Sequence, residues 1–393
     1  MRTRKLAMLL LLPVLALVVA ACGSSNKSST SAATGGANTA AAAKTPCTAQ
    51  VAVEAPITGP VAQLGGEQLH FAQLALEDDN TANNTQITIV QGDTQLDPKQ
   101  ATTVTQQMIS NNKVVAIVGP AGSQEVSAIG SAITRAGLPT ISGSATNTDL
   151  TKKGTFPTFF RVVPRDDVQG PQDANYIADN LKPKKAMLVD DQSSYSTGLA
   201  DAIIPVLKGK GITVDHESVN QKQTDFSSLV SKVDADTGVV ILPWQVAANA
   251  QQLGRNLAEQ NKKAVIFGTD GLYSPDQFKI PGSFVSSFAP DITSIPADAD
   301  IVQKAKSKFG SFGTFGPPVY AAQHVVDSAI AAVCKSGQTP SRSNVLAEIK
   351  KTDMPESILG QPIKFSPQGD LIGAKFFTFK LDPKGKYTLV TGS

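Results

Sequence analysis

The chain has 393 residues, 41% of them hydrophobic and 17% charged, with a formal net charge of +2. That length suits two domains of ordinary size rather than one small core. The near-neutral balance and the lack of any basic run argue against nucleic acid or another polyanion as partner.

The N-terminus is read first. "MRTRK" is positive, and "LAMLLLLPVLALVVAA" is apolar and ends in small residues. Residues 1–21 therefore read as a secretory signal peptide. Val19-Ala20-Ala21-Cys22 resembles the bacterial lipoprotein box, in which the cysteine carries the lipid. Residues 22–47 lack large apolar side chains and read as a flexible tether. No later segment approaches the roughly 20 apolar residues of a membrane span. The expected product is a soluble body outside the cytoplasm, held to the bacterial cell membrane by a lipid on Cys22. Cys47 and Cys334 are the remaining cysteines. An even pair in an oxidising compartment favours a disulfide, with two buried free thiols as the alternative.

Along the chain, "AQVAVEAP" alternates like a strand, and residues 66–79 place Leu69, Ala72 and Leu76 on one helical face. "QITIVQGD" is a second strand. Asp97, Pro98 and Gln100 then look like an N-cap, a first-turn proline and a closed capping box. "KVVAIVG" is a third strand, followed by a helix with Ser123 as its cap and Gly137 as its stop. "LPTISG" begins another strand. After Arg165 the rhythm repeats: helix at 168–181, strand "KKAMLVDD", helix at 196–211, strand "ITVDHESV", helix "DFSSLVSKVDA", strand "GVVILP", helix at 247–260, strand "KAVIFGTD". Such alternation makes parallel sheets covered by helices on both faces, and two runs imply two lobes. "FFRVVPRDD" reads as the first crossing between them. Helices are expected at 299–309, 319–334 and 343–351, and two strands around the turn Asp382-Pro383-Lys384-Gly385 close the chain.

The stretch "VVAIVGPAGSQEV" (Val114–Val126) has the layout of a phosphate loop but not its spacing. Gly119 and Gly122 are three apart and no lysine follows; the dinucleotide pattern is absent too. What survives is a turn at the carboxyl end of a strand, with a helix start behind it. A carboxylate-binding loop and a plain N-cap serine stand as equal readings of Ser123 from spacing alone. Ser144, Ala145, Thr146, Tyr195, Trp244 and Asp270 also follow strands, as a cleft between lobes requires. Asp270 could pair with a ligand ammonium. Catalysis finds no nucleophile–base constellation, since His70, His216 and His324 are scattered and no metal or hydrolase motif occurs.

Many segments agree in order with one family: "PITGPVAQLGGEQLHFAQLALEDDN", "GDTQLDPKQATTVTQQMI", "VVAIVGPAGS", "FFRVVPRDDVQGPQDANYI" and "SSYSTGLADAI". The chain resembles the periplasmic leucine/isoleucine/valine-binding proteins, class I solute receptors of ABC importers. The resemblance implies an α/β fold of two doubly wound, Rossmann-like lobes joined by a three-strand hinge. Lobe 1 would comprise 48–164 and 292–371, and lobe 2 would comprise 165–291 and 372–393. It places Ser123 and Thr146 on a ligand carboxylate, helped by backbone at Gly122, Ser144 and Ala145. Tyr195 matches an aromatic that closes over the ligand, and Asp270 matches the acidic position, usually glutamate, that receives the ammonium. Trp244 falls near another pocket aromatic. Leu64 stands where the branched-chain receptors have a pocket tyrosine, and Gly122 replaces a cysteine found in some relatives. The implied function is capture of a branched-chain or other apolar amino acid by a monomer that delivers it to importer permease subunits, with no reaction, cofactor or metal. The alternatives are another small solute on the same fold (an aromatic acid, an amide or a urea-like compound) and a ligand-sensing lipoprotein.

Overall fold

The computed structural model describes residues 47–392. The expected signal peptide and most of the expected tether, including Cys22, lie outside the described residues.

Two sheets organise the chain. The first contains β1 (Cys47–Ala55), β2 (Thr85–Asp93), β3 (Val114–Val118), β4 (Thr140–Ser142) and β5 (Phe159–Arg161). Its order is β2-β1-β3-β4-β5, and every pairing is parallel. All five residues of β3 are buried, as a parallel strand covered on both faces requires. Helices α1 (Ala62–Asn83), α2 (Pro98–Ser110) and α3 (Ser123–Arg135) connect these strands.

The second sheet begins after α4 (Asp166–Tyr176) with β6 (Lys185–Asp190). It continues through α5 (Ser194–Gly209), β7 (Thr213–Ser218), α6 (Ser227–Ser231), β8 (Thr237–Leu242), α7 (Ala247–Glu259), β9 (Val265–Gly268) and β10 (Phe284–Ser287). Helices α8 (Ala299–Phe309), α9 (Gly316–Lys335) and α10 (Arg342–Ile349) follow, then a two-residue pair, β11 (Asp353–Met354) and β12 (Ile363–Lys364). β13 (Phe377–Leu381) and β14 (Tyr387–Gly392) return to the second sheet, whose order is β14-β13-β10-β9-β8-β6-β7. β13 runs antiparallel to β10, while β7, β6, β8, β9 and β10 are mutually parallel. Both parallel blocks therefore reverse direction beside their first strand, at β1/β3 and at β6/β8. Crevices outside the carboxyl ends of such strands are where open α/β sheets hold ligands.

Two sequence expectations are corrected, and one strand is added. Asp97 caps α2 through the Lys99 and Gln100 N–H groups, but Gln100 does not close a box; its Nε2 reaches Asp93 O at 3.4 Å. The helix expected over "DFSSLVSKVDA" shrinks to the five residues of α6, because the Asp225 side chain takes the Ser227 N–H and starts the helix late. β10 is an additional strand, too short in sequence to show a period.

Cys47 and Cys334 form a disulfide with Cα atoms 5.9 Å apart, tying the start of β1 to the end of α9. A second tie joins two chain crossings between the sheets. Arg161 is fully buried; its Nε donates to Asp370 Oδ1 at 2.9 Å, and Arg165 Nη1 donates to Asp370 Oδ2 at 3.0 Å. The Arg161 N–H also donates to Gly369 O at 3.0 Å.

Candidate functional site

The turn after β3 needs glycine. Gly119 has φ of +115°, and a Cβ there would lie 2.0 Å from Glu54 O. Gly122 rather than Ser123 caps α3, so the serine is the first helical residue and not the expected cap. The Gly122 N–H donates to Glu125 Oε2 at 2.6 Å. Burial pushes the Glu125 carboxyl up to about 7 and that of Glu54, beside the same turn, up to about 8. Near neutral pH Glu54 therefore stays mostly protonated and Glu125 is only partly ionised. The Ser123 and Gln124 N–H groups open the helix without intrahelical acceptors, at its positive dipole end. Ser123 Oγ accepts the Asn147 N–H at 3.1 Å.

The loop after β4 faces this helix start. Ser142 Oγ accepts the N–H groups of Ser144 and Ala145 at 3.2 and 3.0 Å. Ser144 Oγ donates to Ala121 O and accepts from Gln68 Nε2, both at 2.9 Å. The N–H groups of Gly122, Ser144 and Ala145, expected to face a ligand, are therefore bonded within the protein. Arg161 Nη1 donates to Ala145 O at 3.0 Å and to Asn147 O at 2.9 Å, which fixes the loop on either side of Thr146. Thr146 is fully buried, and its Oγ1 has no hydrogen-bond partner.

The second sheet contributes Tyr195 after β6 and Asp270 after β9. Tyr195 Oη donates to Asp270 Oδ1 at 2.8 Å, lies 2.6 Å from Thr269 Oγ1, and accepts the Gly271 N–H at 3.2 Å. Asp270 is 3% exposed, and burial pushes its carboxyl up to about 6 against the hydrogen bond from Tyr195. Two side chains missed in the sequence complete this region. Asp166 heads α4, its N–H donates to Thr146 O at 3.0 Å, and its carboxyl faces the Thr146 hydroxyl without an aligned hydrogen bond. Burial foremost, with Asp270 adding to it, pushes Asp166 up to about 8. Gln169 Nε2 donates to Ser286 Oγ at 3.0 Å, and Ser286 Oγ donates to Asp173 Oδ2 at 2.9 Å. Burial raises the Asp173 carboxyl well above the usual range. An acid in the first turn of a helix, as Asp166 is, or within a polar helix, as Asp173 is, is ordinary in a sequence, so neither carried a signal.

Several hydrogen bonds join the halves, among them Asn147 Nδ2 donating to Ser194 O at 2.5 Å, Gln124 Nε2 to Gln245 Oε1 at 2.8 Å and Gln63 Nε2 to Asp276 Oδ2 at 2.8 Å. Ser123 reaches Tyr195's helix through Asn147. Leu64 lines an adjoining cavity of about 60 Å³, with Glu67, Gln245, Gly271, Tyr273 and Phe315. Trp244 is turned away from that cavity into the second half. Its Nε1 donates to Val189 O at 2.8 Å and its ring packs on Phe226, centroids 5.0 Å apart. The next residue, Gln245, faces the cavity in its place. The histidines lie elsewhere: His70 stacks on Phe309, while His216 and His324 bond Asp190 and Asp79. No group of three or more metal-ligating side chains occurs among the described residues, and none of their helices is long and apolar enough to cross a membrane.

The model of a family described as periplasmic binding protein matches residues 48–386. An amino acid binding protein of Pseudomonas aeruginosa is 28% identical over 347 residues, covering 86% of this chain and 91% of the relative. Leu/Ile/Val-binding protein homolog 3 of Brucella melitensis biotype 1 is 29% identical over 340 residues, covering 84% and 91%. The solved structure of a leucine binding protein, LivK, from Thermotoga maritima matches with a TM-score of 0.79 at 21% identity, covering 88% of this chain and 98% of that one.

Proposed function

The chain belongs to the periplasmic binding protein family, and we propose that it captures an α-amino acid between its two lobes as the solute-binding lipoprotein of an ABC importer. The observation that carries this reading is a buried acid and a partner-free hydroxyl from opposite halves. Asp270 is held by Tyr195 on one side, and Thr146 Oγ1 is unpaired on the other. In this reading Asp270 receives the ammonium. Ser123, the N–H groups that open α3 and Thr146 receive the carboxylate. Tyr195 closes the second lobe over both. Lobe 1 is taken as 48–164 with 292–371, and lobe 2 as 165–291 with 372–393. A solute touching both lobes favours their closed arrangement by its differential contacts. No bond is made or broken. The protein acts as a monomer that hands its solute to permease subunits, anchored through a lipid on Cys22. The relatives' names support an amino acid as the solute. An aromatic carboxylate without an ammonium would bring a second negative charge beside Asp270.

A thermal-shift screen of the mature protein against the common amino acids and aromatic carboxylates, with calorimetric confirmation, tests the reading. Stabilisation by one or a few α-amino acids is expected. Stabilisation by an aromatic carboxylate alone would refute it.

A further inference from the structure

Resting on the amino-acid reading above, we infer that the solute's side chain ends in a carboxamide or ureido group, received by Gln245 and Glu67 in the cavity beside Asp270. The cavity adjoins the ammonium position, since its wall residue Gly271 donates its N–H to Tyr195. Gln245 is 9% exposed, and its oxygen is committed twice, accepting from Gln124 Nε2 at 2.8 Å and from Gln221 Nε2 at 3.0 Å. Those two donors fix the orientation of its amide. Its Nε2 makes no hydrogen bond among the described residues, so an unpaired donor faces the cavity.

The opposite chemistry is also present. Glu67 lines the cavity, and its two oxygens are held by the N–H groups of Gly316 and Gly313 at 2.6 and 2.8 Å. Each carboxylate oxygen keeps further acceptor capacity. Asp276, exposed at the cavity's edge, accepts from Gln63 Nε2 at 2.8 Å. No lysine, arginine or histidine lines the cavity.

Each kind of tail can be weighed against this wall. A purely aliphatic tail expels water and leaves the Gln245 donor buried and unpaired, which is the costly outcome for a polar group. An anionic tail meets Glu67 and Asp276. A cationic tail suits the two acids but gives Gln245 nothing to donate to. A carboxamide offers its C=O to Gln245 and its NH2 to Glu67 at once, while Leu64 and Phe315 cover the methylenes before it. Sites built to hydrogen-bond a polar group discriminate strongly against analogues lacking it.

The test is calorimetry of the mature protein with L-glutamine, L-leucine, L-glutamate and L-lysine. Glutamine should bind at least tenfold more tightly than the other three. Gln245→Leu, which also removes the acceptor of the Gln124 bond between the halves, should weaken glutamine at least tenfold more than it weakens leucine. Gln245→Glu keeps the shape and both incoming hydrogen bonds, and should weaken glutamine similarly while favouring lysine. Leucine binding as tightly as glutamine, or a glutamine-to-leucine ratio unmoved by both variants, would overturn the inference and leave the amino-acid reading standing. If none of the α-amino acids bound, the amino-acid reading itself would fall, and this inference with it.

Discussion

Asp270→Asn isolates charge from shape. The amide keeps an oxygen for Tyr195 Oη, now 2.8 Å from Asp270 Oδ1, and removes the anion that the proposed ammonium meets. A hydrogen bond to a charged group contributes about 1.5–3 kcal/mol, so affinity should fall about 10- to 150-fold at about 1.4 kcal/mol per decade. The carboxyl titrates at about 6, so in the wild type it must lose a proton before pairing. Affinity should therefore drop about tenfold per pH unit below that value. The neighbouring groups do not share this window, since Glu125 stands at about 7 and Asp166 at about 8, and burial holds Asp173 well above the usual carboxyl range. Calorimetry between about pH 4.5 and 6.5, with the amino acid found by screening, should give a sloping wild type and a flat, weaker variant. Stability moves oppositely. Because the folded value lies above the ordinary 3.8, the contribution of Asp270 is fully present below the unfolded pKa and is lost as pH rises through about 6. The ligand-free variant should then unfold at the same temperature as the wild type or higher at neutral pH. Equal affinity in the variant, or an undiminished pH slope, would remove Asp270 from the ammonium site.

Arg161→Met should lower stability by about 3–5 kcal/mol in denaturant unfolding, because it removes one of the two guanidinium partners of Asp370 and leaves two buried loop carbonyls without their donor. Cys334→Ser should cost about 2–4 kcal/mol by opening a loop of 287 residues, and reductant should lower the thermal midpoint of the wild type but not of the variant. Gly119→Ala forces a Cβ to 2.0 Å from Glu54 O at a left-handed φ. It should lose about 2 kcal/mol or more in thermal unfolding and weaken solute binding by displacing the start of α3.

The strand–helix rhythm was legible because central parallel strands are unbroken apolar runs, as in the buried Val114–Val118. Chain order alone then put Ser123, Thr146, Tyr195 and Asp270 at the carboxyl ends of strands, where the fold gathers them. The sequence was silent where a signal depends on three-dimensional neighbours. Asp166 and Asp173 look like surface acids of a polar helix, and only the packing of α4 against α5 and β10 buries them. Trp244 and Gln245 show the limit of reading strand ends. Adjacent residues there point to opposite sides, so the aromatic went to the core and the amide to the cavity. Phe284–Ser287 holds two apolar residues and two serines, too few for a period, and forms a strand because β9 and β13 flank it.

The acids of the cleft give a physical reason for a cationic group in the solute. Asp166, Asp173 and Asp270 are each buried, and the Arg161 guanidinium near Asp166 is already bonded to Asp370. Without a cation the three carboxyls hold protons at pH values where exposed carboxyls are ionised, which is how buried acids avoid an isolated charge. An ammonium beside Asp270 supplies the missing positive charge and lets that residue ionise in place. In the proposed reading, the same ammonium belongs to a molecule whose carboxylate would take the donors at Ser123 and Thr146, on the other half. Neither half alone satisfies both ends of a zwitterion. Below about pH 6, ionisation of Asp270 and closure of the lobes are therefore expected as one event, driven by the charge pattern of the solute rather than by its apolar area.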